Sequence, residues 1–143
     1  MSHIYVFFHC IYKQIIIYLS HNEREGGTNM LKTVIELDKA ANLLKILGDK
    51  TRLTMMKLMD DHACCVCEFV EIFQMSQPGI SQHLRKLKDL GLVEEERKGQ
   101  WIFYSVNKDN EYYSFIKDIL DQLPNQNYKI RELEEKGTRI SCC

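Results

Sequence analysis

Between Leu37 and Val106 the spacing of apolar residues changes once, and that change limits the folds open to the chain. Leu37, Ala40, Ala41, Leu43, Leu44 and Leu47 recur at helical intervals, and Gly48 closes the run. Asp49 then serves as an N-cap for a second helix with Leu53, Met56, Leu58 and Met59. A short third helix is expected over Cys65–Phe73, with Phe69, Ile72 and Phe73 as its apolar residues. Ser76-Gln77-Pro78 opens a fourth, because Pro is tolerated in a first turn where its missing N–H is not needed. Ile80, Leu84, Leu87 and Leu90 share one face of it, and Gly91 suits a left-handed C-terminal cap. The period then becomes β-like. Leu92–Arg97 and Trp101–Val106 flank Lys98-Gly99-Gln100 and read as a hairpin. A fifth helix is expected over Asn110–Leu123, stopped by Pro124, and a short one near Tyr128–Lys136. Four helices, a hairpin and a helix, mainly α with a β-hairpin wing, is the order of a winged helix-turn-helix.

This gives three parts. Residues 30–123 read as the winged helix-turn-helix domain. Residues 124–143 read as a polar tail ending in Cys-Cys. Residues 1–29 are an apolar, aromatic extension, too short and too broken by His9 and Lys13 for a membrane span. Purine-rich codons for Glu25-Gly26-Gly27 stand where a ribosome-binding sequence would precede Met30, so a native start at Met30 is expected.

The net charge of −1 excludes a strongly basic, non-specific nucleic-acid binder, so any DNA reading needs local evidence. The fourth helix supplies it. Opposite its apolar stripe lie Gln77, Ser81, Gln82 and Arg85, next to the capping Ser76. Short polar residues at the start of a recognition helix reach base edges in the major groove. Lys98 and Gln100 at the hairpin tip suit contacts to the backbone. A lone polar helix face is usually just solvated; the turn before this one and the hairpin after it favour DNA.

Six cysteines are present, and five fall in two tight clusters. Adjacent cysteines make a poor disulfide framework, so the clusters read as metal-binding or redox-active thiols in a reducing cytoplasm. Cys64-Cys65-Val66-Cys67 offers three sulfurs at the mouth of the third helix. Cys65 and Cys67 stand about 200° apart on a regular helix and converge only if the first turn is not yet helical. A helix N-terminus lowers thiol pKa, and soft thiolates select soft ions, extended here to As(III) and Sb(III), with Cd(II), Pb(II) and Zn(II) as further candidates. Burial as small hydrophobes and redox sensing are the competing readings. The histidines are scattered; His62 and His83 read as structural or solvent-facing, and no catalytic residues are expected.

Leu47-Gly48-Asp49-Lys50-Thr51-Arg52-Leu53, Cys65-Val66-Cys67-Glu68, Ser76 through Leu84, Gly91-Leu92-Val93 and Gly99 through Ser105 together resemble the ArsR/SmtB metalloregulators, above all the arsenic-responsive repressors of Gram-positive bacteria. The resemblance implies a homodimer built on the first and fifth helices and bound to double-stranded operator DNA. It implies DNA contacts from Gln77, Ser81, Gln82 and the wing, needing no cofactor and no membrane partner. It also implies derepression when Cys65 and Cys67 bind the inducer. One position departs: many such sensors carry a third Cys three residues after the pair, where this chain has Val70. The third sulfur is then expected from Cys64, the nearest, or from Cys142–Cys143 or Cys10. A thiol-based redox or persulfide-sensing repressor of the same fold is the alternative, and a thiol redox enzyme the rival from another class.

Overall fold

The computed structural model describes residues 34–140. The expectations for residues 1–29, for a start at Met30, and for Cys10, Cys142 and Cys143 lie outside that range.

The chain begins with α1 (Leu37–Leu47), which buries Leu43 and Leu47 and leaves Leu37 and Leu44 in solvent. Only Gly48 and Asp49 separate it from α2 (Lys50–Asp61). Asp49 caps α2 by accepting from Arg52 N at 3.0 Å, and this bond holds its carboxyl below the usual range. Arg52 is itself nearly buried, its Nε donating to Ile46 O at 2.5 Å across the α1–α2 corner. Met55, Met56, Leu58 and Met59 make α2 the axis of the core.

After α2 comes β1 (Cys64–Cys65), a two-residue strand, then α3 (Val66–Phe73) and α4 (Gln77–Asp89). The turn between α3 and α4 passes through Gln74 in the left-handed region, φ 51°. Ser76 caps α4 by accepting from Gly79 N at 3.3 Å, and Ile80, Leu84 and Leu87 face the core. Gly91 leaves α4 at φ 66°, where a Cβ would also lie 3.1 Å from Asn110 Nδ2. The wing is β2 (Val93–Lys98) and β3 (Trp101–Val106). Lys98 pairs with Trp101, so the turn is Gly99-Gln100 alone. Gly99 sits at φ 61° in its first central position, which a two-residue hairpin turn of this kind reserves for glycine.

Three differences from the sequence reading stand out. β1 was not expected; it pairs antiparallel with β3, giving the sheet order β1-β3-β2. The fifth helix, α5 (Tyr113–Asp121), starts later than Asn110 because the Asn107 and Asn110 side chains fold a turn instead, accepting from Asp109 N and Tyr112 N and donating to Gly91 O. The short helix expected near Tyr128–Lys136 is present as α6 (Tyr128–Glu135), but within the polar stretch it buries Ile130 and Leu133 in the same core.

Candidate functional site

The residues expected to meet DNA are all exposed. Ser76, Gln77, Ser81, Gln82 and Arg85 lie along the open side of α4, while Lys98 and Gln100 lie at the wing tip. The local field is partly compensated. Lys88 on α4 pairs with Glu95 of β2 at 2.8 Å, and Lys98 pairs with Glu96 at 3.0 Å. The acidic run expected to point partly away from DNA alternates between sides: Glu94 accepts from Ser105 Oγ, while Glu95 reaches back to α4.

The cysteines separate. Neighbours on a strand point to opposite faces, and β1 is just long enough for that rule to act. Cys64 stands opposite Tyr104 and Cys65 opposite Phe103. The Cys64 thiol enters the hydrophobic core, and burial pushes its pKa up to about 12. Cys65 turns the other way, and its Sγ lies 2.7 Å from Cys67 Sγ. Two of the three clustered thiols therefore converge, because Cys65 is the N-cap of α3 and not part of the helix proper. Cys64 does not join them, contrary to the expectation that the nearest thiol completes the set.

The expected lowering of thiol pKa by the helix N-terminus does not hold at Cys65. Burial, then the adjoining Cys67 thiol, hold it well above the ordinary range, and the Glu68 carboxylate adds to the effect. Glu68 itself takes part in a capping box: its Oε2 accepts from Cys65 N at 2.8 Å, satisfying an end that would otherwise favour thiolate.

Sequence reasoning missed a polar clamp behind this pair. The Glu68 side chain is fully buried and pairs with Arg139 at 3.0 Å. Arg139 also donates to Ala63 O at 3.4 Å, and Ile140 N donates to Glu68 Oε1 at 3.1 Å. The available signal was a charged Glu in the first turn of an apolar helix, which needs a partner when buried; its partner lies more than seventy residues away.

The Cys65–Cys67 pair opens on a cavity of about 360 Å³. Its walls include Gln77 at the start of α4 and Gln100 and Trp101 at the wing tip, with Val70 and Tyr104 between. Among the described residues, no three His, Cys, Asp or Glu side chains gather to hold a metal ion. His62 Nε2 donates to Asn127 Oδ1 at 3.2 Å, and His83 Nδ1 lies 3.6 Å from Asp49. Nor is any described helix long and apolar enough to cross a membrane.

The model of the arsR family of bacterial regulatory proteins matches residues 49–95, from the cap of α2 into β2. An uncharacterized HTH-type transcriptional regulator of Methanocaldococcus jannaschii, MJ1325, is 40% identical over 84 residues, 58% of this chain and 89% of its own. The arsenical resistance operon repressor of Bacillus subtilis is 38% identical over 85 residues, 59% of this chain and 80% of its own. The solved transcriptional repressor BigR of Xylella fastidiosa superimposes with a TM-score of 0.53 at 27% identity, covering 59% of this chain and 82% of that one. Such relatives are transcription regulators and not enzymes. The winged helix-turn-helix, the open face of α4 and these matches lead to one assignment: the chain belongs to the ArsR family and is a DNA-binding transcriptional repressor.

Proposed function

We propose that this repressor binds operator DNA as a dimer and lets go when As(III) or Sb(III) is held by Cys65 and Cys67. The observation that carries this reading is the shared cavity. The two sulfurs line the same space as Gln77, the first residue of the reading helix, and Gln100 of the wing. Anything seated on the sulfurs presses on both DNA-contacting elements. Half-sites one DNA turn apart tolerate little change in their spacing, and linkage requires DNA and inducer to weaken each other by the same factor.

The donor set suits a thiophilic ligand: two sulfurs already side by side, with Val66, Val70 and Ile102 as apolar walls and no carboxylate among the lining residues. Similarity to repressors of arsenical resistance operons favours a metalloid over Cd(II), Pb(II) or Zn(II). Base reading is assigned to Gln77, Ser81 and Gln82, and backbone contacts to Ser76, Arg85, Lys98 and Gln100. Leu37 and Leu44, two turns apart on α1 and exposed, fit a face covered by a second copy.

A gel-shift panel tests the reading. Arsenite and antimonite should release the wild type, and the Cys65→Ser/Cys67→Ser variant should hold its operator under the same challenge. Release of that variant by arsenite sinks the proposal. The 2.7 Å sulfur separation supports a second reading, a thiol switch closed by oxidation. Release by diamide alone, reversed by a reductant, would select it.

A further inference from the structure

What a pair of sulfurs can hold depends on how many bonds its ligand has to exchange. Cys65 Sγ and Cys67 Sγ lie 2.7 Å apart, while strand alternation turns Cys64 into the core. Burial and the adjoining Cys67 thiol hold Cys65 above the ordinary thiol range, so it meets a ligand with its proton on. A divalent cation needs thiolates. A trivalent arsenic acid does not, because its own hydroxyls carry the protons away. Arsenous acid bound to two sulfurs keeps one hydroxyl, which is costly to place against apolar walls. An arsonous acid, in which carbon replaces one hydroxyl, keeps none. The space beside the sulfurs fits that carbon group. It measures about 360 Å³, and its walls include Val66, Val70, Trp101, Ile102 and Tyr104. An apolar cavity of about 150 Å³ already takes a benzene ring. Trp101 and Ile102 are 38% and 41% exposed, so apolar surface beside the sulfurs is there for a ligand to cover.

We propose that the Cys65–Cys67 site takes carbon-substituted arsenic(III), an aryl form in preference to a methyl one, with the carbon group seated against Val70, Trp101 and Ile102. The inference rests on the reading of that pair as the inducer site and names the class of inducer. Each As–S bond forms as an As–OH bond breaks, and each thiol proton leaves with the hydroxyl as water. The As–C bond stays intact, arsenic remains trivalent, and neither oxidant nor reductant is consumed. The sulfurs hold the arsenic, and the apolar walls choose its substituent.

Phenylarsine oxide, methylarsonous acid and arsenite are titrated into the full chain against dithiothreitol, which cancels each arsenical's intrinsic affinity for two thiols. Alkylation with N-ethylmaleimide and peptide mass spectrometry then map the protected cysteines. Both organic forms should protect Cys65 and Cys67, and the phenyl form should be favoured over the methyl form by about ten-fold or more. Arsenite should bind more weakly than either. Trp101→Ala and Ile102→Ser, at half-exposed positions outside the core, should each lower the phenyl preference several-fold while Cys65 and Cys67 stay protected. Cys10→Ser/Cys142→Ser/Cys143→Ser should bind the phenyl form as the wild type does. A phenyl preference no greater than that of dithiothreitol overturns the inference, as does one that survives both wall variants. Tighter binding of arsenite, or loss of phenyl binding in the triple variant, overturns it too and gives a third thiol a place in the site. In these cases release of the operator by arsenite through Cys65 and Cys67 leaves the inducer reading standing. If no arsenical protects Cys65 and Cys67, that reading fails and the inference with it.

Discussion

Two successive helix N-termini, at Val66 and Gln77, are finished in opposite ways in this protein. The start of α4 is capped by a side chain in solvent, Ser76, and its next residues are exposed. The start of α3 is capped from within by Glu68, backed by Arg139 and Ile140, and buried. The first is left open for an outside partner. The second already has partners from a distant part of the chain, so whatever enters there must disturb them. An open end and a closed end are thus built from the same element, and what separates them is which groups satisfy the first turn.

The sharpest way to break this contrast is to remove the inner partner. Arg139→Ala leaves the Glu68 carboxylate buried and unpaired, which typically costs about 3–5 kcal/mol. Ser76→Ala removes an exposed cap and should cost about 1 kcal/mol. Urea unfolding of the two variants measures the difference directly. Comparable losses would mean the clamp is no stronger than an ordinary cap.

The second test separates the neighbouring cysteines. Cys64→Ser puts a hydroxyl into the core and should destabilise by about 1–3 kcal/mol. Cys67→Ser, half-exposed at the cavity, should leave the unfolding midpoint within about 0.5 kcal/mol of wild type while abolishing the response to arsenite. Equal destabilisation would place both thiols in the packing.

These two comparisons also mark how far the sequence could be read. Helices α1 to α4 and the wing announce themselves by their apolar period, with Asp49 and Ser76 capping α2 and α4, Gly48 and Gly91 closing α1 and α4, and Gly99 turning the hairpin. The meeting of Cys65 with Cys67 follows from the irregular first turn. β1 was not legible, since two residues carry no period, and with it went the fate of Cys64. Without a strand, the nearest thiol looks available; with one, it points the other way. Nor could α6 be recognised as part of the core from Ile130 and Leu133 alone in a polar stretch. The clamp lay furthest out of reach: pairing Glu68 with Arg139 depends on the folded path, as does the burial that, with the adjoining Cys67 thiol, reverses the pKa direction a bare helix end would give Cys65.

On the open end, the effects fall on specificity and not on folding. Gln82→Ala should leave stability unchanged and reduce discrimination between operator and mutated operator by about 1–3 kcal/mol, read by competition binding. An equal loss on random DNA would assign Gln82 to the phosphates.

The smallest expected effect probes how completely that end is open. Lys88 sits on α4 but pairs with Glu95 of the wing at 2.8 Å, and this contact raises the lysine's pKa. An exposed pair of this kind adds little to stability, so its weight should appear in DNA binding. Glu95→Gln frees one cation per protomer beside the recognition helix. If Lys88 then neutralises a phosphate, the slope of log K against log salt should steepen by about 1 per half-site. Operator preference should stay as it was, because phosphate contacts position the protein without reading sequence. An unchanged slope would mean that Lys88 points along the wing and away from the duplex, and that the open face of α4 ends at Arg85.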